Sequence, residues 1–233
     1  MILGLLQCDH VDEAFRHVSG DYDAMFRTLF AGTDAGLRVY DAVAGELPDD
    51  LAECDAYLTT GSRRSVYEDE PWIARLGDLV RELDAAGRPF VGICFGMQLM
   101  AAALGGRVAR SARGWGVGVR PAAVEVREGW MEPPADEVRL IVSHRDQVET
   151  LPPGAVVLGG NDHCPVSILR IGERLLGFQG HPEFTPAYAA ALLESRRDRI
   201  GAETVDAALR TLAGPTDAGV VARWILRFVA GAA

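Results

Sequence analysis

Short, uninterrupted apolar runs alternate along the first hundred residues with longer stretches whose apolar positions recur at helical spacing. The runs ILGLLQC (2–8), LRVYDAV (37–43), DAYLTTG (55–61) and PFVGICF (89–95) are separated by helical patterns at 21–30 and 72–86. Continuous apolar runs of this length are what strands covered on both faces of a parallel sheet look like, so the β-α-β rhythm predicts an α/β layered fold. A helix is expected from about Gly96 to Leu104, ended by Gly105-Gly106. The pattern then changes to shorter strand candidates, VGVRPAAVEV, EVRLIVS, AVVLGG, PVSILRI and RLLGFQG, which predict a partly antiparallel half. Three helical stretches close the chain, roughly 186–199, 202–213 and 217–230, with a break at Gly214-Pro215. No repeat, low-complexity tract or long linker intervenes, so the expected organisation is a main unit over 1–185 and a helical extension, 186–233, packed on the same core.

Composition narrows the function more than the fold. A chain of 233 residues with 48% hydrophobic and 24% charged content can bury one substantial core, and it holds no apolar run near bilayer length. A membrane partner is not expected. The first eight residues lack a basic leader and a small-residue cleavage site, and read as a buried strand. All 23 basic residues are arginine, which excludes a Walker-type phosphate loop and a Schiff-base or pyridoxal-phosphate lysine. A net charge of −10 with scattered arginines argues against nucleic acid as a partner. Cys8, Cys54, Cys94 and Cys164 form no CxxC pair, and a chain of this size needs no disulfide framework, so a reducing cytoplasm fits.

The segment Phe90-Val-Gly-Ile-Cys94-Phe-Gly-Met-Gln98 runs from a strand into a helix with Cys94 at the turn. Gly92 and Gly96 flank it at minus two and plus two, the spacing of a nucleophile elbow, in which a strained turn presents the side chain and neighbours must be small. Such a turn exposes the sulfur, and the helix N-terminus favours an anion there. The Phe95 N–H then points toward a developing oxyanion. A buried, inert cysteine is the plain alternative, and it is the reading given to Cys8, Cys54 and Cys164, which have no elbow. Among five histidines, His181 stands out. It leaves the strand of Leu175-Leu-Gly-Phe-Gln-Gly-His181-Pro-Glu183 with a glutamate two residues on, so both side chains share one face of an extended backbone. Such a glutamate can fix the imidazole tautomer and leave the other nitrogen to take a thiol proton; the pair alone also fits a solvated loop.

Taken together, GICFGMQ and GFQGHPEF resemble the signature pair of the class I glutamine amidotransferases, whose triad is Cys, His and Glu. Leu58-Thr-Thr-Gly61-Ser resembles their second oxyanion-hole loop, and Ser143-His-Arg-Asp-Gln-Val148 their SHxDxV stretch. The matches span about 55–185 and look most like the stand-alone, GMP-synthase-glutaminase-like members that include γ-glutamyl peptidases. The resemblance implies a flavodoxin-like layered sandwich with a central mostly parallel sheet and a smaller partly antiparallel one, the amidotransferase domain being 1–185. It implies a triad of Cys94, His181 and Glu183, and an oxyanion hole of Gly61 and Phe95. Arg63, Gln98, Ser143 and Arg145 occupy positions where relatives hold the glutamine's α-amino and α-carboxylate groups.

The implied reaction is hydrolysis of the glutamine γ-amide through a cysteinyl thioester, releasing glutamate and ammonia, any synthase subunit that uses the ammonia being a separate partner in trans. The alternative is a stand-alone γ-glutamyl peptidase acting on small γ-glutamyl compounds; a non-catalytic binding module and a DJ-1-like protein stand below it. No cofactor is implied. His144 and Asp146 have the spacing of a metal pair but no third ligand nearby, so no metal is expected and a structural or substrate-loop role is preferred. Gly114-Trp115-Gly116 fits a tight turn opening a hairpin as well as a Gly-Trp element of relatives. Gly180, where synthetase-linked members carry a bulky aromatic, is expected to open space beside His181.

Overall fold

A computed structural model describes residues 1–231 of the chain, so the last two residues of the expected 186–233 extension lie outside the described residues. The first half runs β1 (Ile2–Gln7), α1 (Glu13–Ser19), α2 (Tyr22–Leu29), β2 (Gly36–Asp41), β3 (Ala56–Thr59), α3 (Pro71–Ala85), β4 (Phe90–Ile93) and α4 (Phe95–Ala103). The second half adds β5 (Arg107–Arg110), β6 (Gly116–Val124), β7 (Glu137–His144), β8 (Asp146–Thr150), β9 (Ala155–Gly160), β10 (Ile168–Ile171) and β11 (Leu175–Phe178). Four helices follow: α5 (Pro186–Ser195), α6 (Arg197–Ile200), α7 (Ala202–Thr211) and α8 (Ala218–Gly231).

The central sheet has the order β2-β1-β3-β4-β11-β10-β9-β6-β7. It is parallel from β2 through β11 and antiparallel beyond. Every residue of β3, β4 and β11 is buried, which is why their sequences read as unbroken apolar runs, whereas edge strand β2 alternates. The small second sheet is the antiparallel pair β5 and β8. The apolar pattern did not announce these two strands, because RVAR and DQVET are short and mostly polar. The antiparallel strands expected after residue 115 mainly widen the central sheet instead of building a separate one.

The C-terminal helices close one side of this sheet. Trp224, Ile225 and Phe228 of α8 share a core with Leu3 and Leu5 of β1, and the Trp224 indole N–H donates to the Pro133 carbonyl at 2.9 Å. Burying one such side chain stabilises the fold by about 3 kcal/mol. The stretch expected as one helix over 186–199 is broken at Arg196, which caps α5 and precedes α6. No described helix is long and apolar enough to cross a membrane.

Candidate active site

Three neighbouring parallel strands, β3, β4 and β11, release their chains at the same edge of the sheet, the carboxyl edge where open α/β sheets place their ligands. The β4–β11 register pairs Ile93 with Phe178, so Cys94 emerges beside Gln179 although 85 residues separate them. The Cys94 N–H donates to the Phe178 carbonyl at 2.7 Å, continuing the ladder one step past both strands.

Cys94 has φ 50°, the only described non-glycine residue in the left-handed region. Such a conformation costs on the order of 1–3 kcal/mol and persists only where the surroundings enforce it. The glycines show how. A Cβ at Gly92 would lie 2.4 Å from the Gly96 carbonyl carbon, and one at Gly96 would lie 1.6 Å from Thr59 Oγ1. The first turn of α4 therefore presses directly onto β3 and β4, and only glycine fits at either flank. Cys94 is 5% exposed, so the elbow does not display the sulfur on open surface as expected. It sits instead at the floor of a cleft that Phe95 and the Ser62–Ser65 loop also line.

His181 is fixed from several directions. Its backbone N–H donates to Ile141 at 2.8 Å, its Nδ1–H donates to Glu183 Oε1 at 2.8 Å, and the Phe184 ring stacks on the imidazole with centroids 3.8 Å apart. Gly61 closes the remaining side: a Cβ there would reach His181 Cε1 at 2.6 Å. Burial by itself would push the imidazole's pKa down. The Glu183 carboxylate, then the facing Cys94 sulfur, outweigh that cost and push it up to about 10. Glu183 is itself buried, and its Oε2 has no partner among the described residues. The pair is thus a desolvated carboxylate whose negative charge is answered by the imidazolium.

The remaining residues singled out from sequence fall into the same region with different commitments. Arg63, Gln98, Ser143 and Arg145 all line the cleft. The Arg63 guanidinium, however, is engaged by Asp9 at 2.9 Å and the His10 carbonyl at 2.7 Å, and Arg64 pairs with Glu68 and Glu70. Gln98 Nε2 donates to the Asp146 carbonyl and to Gln179 Oε1. The Ser143 hydroxyl accepts from Arg196, and Arg145 Nε is buried with no partner among the described residues. Gly61, with its carbonyl accepting from Thr60 Oγ1, shows no acceptor for its own N–H among the described residues. The Phe95 N–H is a first-turn amide without an intrahelical acceptor.

One expectation changes. Gly180 opens no room for a side chain, since a Cβ there would meet Leu140 Cβ at 2.6 Å. His144 donates Nδ1–H to the Asp146 carbonyl, and burial pushes its pKa down to about 3, so it is a neutral brace for the loop. The Asp146 carboxylate accepts from Ser65 Oγ, and the described residues hold no cluster of three metal-ligating side chains. Sequence reading also missed three groups. Gln179, inside the FQG of the histidine motif, donates Nε2–H to Cys94 Sγ at 3.3 Å. Arg196 and Arg199, covered only by the expected helix over 186–199, line the cleft, where the helix breaks at 196.

A left-handed cysteine pinned between glycines, next to a buried His–Glu pair at a parallel sheet's carboxyl edge, defines an α/β protein of the nucleophile-elbow class. Residues 53–196 match the family model described as glutamine amidotransferase class-I, and the chain belongs to that family. It is 30% identical over 191 residues to Gamma-glutamyl peptidase 3 of Arabidopsis thaliana, spanning 78% of this chain and 76% of that protein. It is 33% identical over 149 residues to a GMP synthase [glutamine-hydrolyzing] subunit of Methanoculleus marisnigri, spanning 64% of this chain and 80% of the other. The crystal structure of a glutamine amidotransferase from Thermotoga maritima superposes with a TM-score of 0.75 at 21% identity, covering 98% of this chain and 95% of that one. That likeness shows a shared fold.

Proposed function

We propose that the chain hydrolyses the γ-amide bond of γ-glutamyl compounds, glutamine first among them, through a thioester on Cys94. The observation that carries this reading is the left-handed Cys94 facing His181, whose other nitrogen is held by Glu183. Cys94 adds to the γ-carbonyl while the Phe95 and Gly61 N–H groups receive the oxyanion. His181 passes its proton to the departing nitrogen, which leaves as ammonia or an amine. Water then cleaves the thioester and glutamate departs. Gln179, donating Nε2–H to the sulfur, holds Sγ in place beside the imidazole. A separate synthase chain receiving the ammonia is compatible with the likeness to a GMP synthase [glutamine-hydrolyzing] subunit. The γ-glutamyl peptidase relatives support the second reading, in which the leaving group is larger than ammonia.

The isolated chain, incubated with glutamine and with a γ-glutamyl dipeptide, is expected to release glutamate from at least one of them. The rate should hold through neutral pH and fall as pH rises through about 10, where His181 loses the proton it delivers. The sign follows from the raised pKa: the charged imidazole is present below it and lost above it. Glu183→Gln keeps an acceptor for Nδ1–H but removes the charge, so the fall should move to lower pH. Glutamate release from neither compound, or an alkaline limb that ignores Glu183→Gln, would count against the assignment.

A further inference from the structure

The cleft above Cys94 is unusually cationic for a chain of net charge −10. Arg63, Arg64, Arg110, Arg145, Arg196 and Arg199 line it, against a single carboxylate, Asp146. Arg63 and Arg64 are neutralised by Asp9, Glu68 and Glu70. None of the described ion pairs includes Arg110, Arg145, Arg196 or Arg199. Two donors inside the cleft are also buried and unmatched among the described residues, Arg145 Nε and Trp115 Nε1. Buried donors without acceptors are costly, and they concentrate where a ligand completes them.

The far wall of this cleft comes from the C-terminal helices and the turn before β6. Arg196 is held at the α5–α6 break, where Nη1 donates to Ser143 Oγ at 2.9 Å. Desolvation weakens its hold on its proton, Tyr22 and Tyr188 partly offset this, and the like charge of Arg199 adds to it. The Arg199 guanidinium carbon lies over the Trp115 ring, 5.1 Å from its centroid, within cation–π distance. Among the described residues neither of these two guanidinium groups is paired with a carboxylate. A γ-glutamyl group is a zwitterion with one carboxylate of its own, and Arg145 alone is enough for that. The surplus points to a second anion on the same molecule.

We propose that Arg196 and Arg199, backed by Trp115, form a subsite for a carboxylate borne by the leaving amine, so that the preferred substrate is a γ-glutamyl amino acid or short γ-glutamyl peptide. The proposal rests on the hydrolytic reading above and names its substrate class. In the acylation step the Cys94 S–C bond forms and the C–N bond breaks, and the His181 proton goes to the nitrogen of an amino acid held by its carboxylate. In the second step water supplies hydroxide to the γ-carbonyl carbon, the S–C bond breaks, and the remaining proton returns to the site. Guanidinium forks match carboxylate geometry in a way an ammonium cannot, so arginine at both positions matters beyond its charge.

The experiment compares γ-glutamylglycine with γ-glutamylglycinamide, which differ only in the terminal carboxylate. Wild type is expected to favour the acid by about 10- to 100-fold in kcat/KM, the effect typical of a charge-assisted hydrogen-bonded pair. Arg199→Met and Arg196→Lys should each bring that ratio toward one, with circular dichroism showing the fold retained. The same ratio measured as affinity for the Cys94→Ala protein gives a readout free of turnover. Equal cleavage of acid and amide by wild type would overturn the subsite while keeping the hydrolytic reading. An equal loss on both compounds in the arginine variants would place Arg196 and Arg199 on the γ-glutamyl carboxylate instead, and also overturn it. Neither cleavage nor binding of either compound would overturn both.

Discussion

Cys94→Ala is expected to lower kcat/KM toward γ-glutamyl amides by about 10⁴-fold or more while leaving the midpoint of thermal unfolding nearly where it was. The separation of the two effects follows from the elbow. Alanine at φ 50° is as strained as cysteine, and the backbone there is set by Gly92, Gly96 and the bond from Cys94 N–H to Phe178, none of which the substitution touches. Only the sulfur is lost, and with it the atom that Gln179 and His181 face. Cys94→Ser should behave almost as badly, since a hydroxyl gives up its proton far less readily than a thiol to the same imidazole. Glutamate release by the alanine variant at more than a tenth of the wild-type rate would remove Cys94 from the mechanism.

The second large effect is structural. Gly96→Ala should destabilise the protein by about 3 kcal/mol or more, because the new methyl would fall 1.6 Å from Thr59 Oγ1 on a strand that is buried along its whole length. Relief would require α4 to lift away from β3, and with it the turn that orients Cys94. Urea unfolding should therefore show a lower midpoint at an unchanged slope. Gly129→Ala is the natural control: nothing lies within 4 Å of its Cβ position, and its cost should stay within about 0.5 kcal/mol. Comparable midpoints for the two variants would mean that the close approach of helix and strand is not what shapes the elbow.

Much of the parallel half was legible because burial on both faces writes itself into sequence as unbroken apolar runs. β1, β3 and β4 show that signal, and the Gly-x-Cys-x-Gly spacing marks the turn between β4 and α4, whereas β11, expected in the partly antiparallel half, pairs parallel to β4. What escaped depended on tertiary partners. β5 and β8 are short, polar strands that exist because they pair with each other. The helix break at Arg196 has no proline or glycine to announce it, yet Arg196 and Arg199 beside it line the cleft. Arg63 illustrates the reverse: its place in the motif is right, but Asp9, distant in sequence, occupies the guanidinium. Gln179 lies within the histidine motif and went unremarked, since nothing local says that the parallel register will set it against Cys94.

Four free cysteines make the central claim directly measurable. Burial pushes the thiols of Cys8 and Cys164 upward, whereas Cys94 lines the cleft. Peptide mass mapping after exposure to a glutamine-analogue chloroketone should find a single adduct, on Cys94, formed much more slowly in His181→Ala. An adduct distributed over the other cysteines, or formed at equal rate with and without the imidazole, would contradict the pairing of that sulfur with that ring.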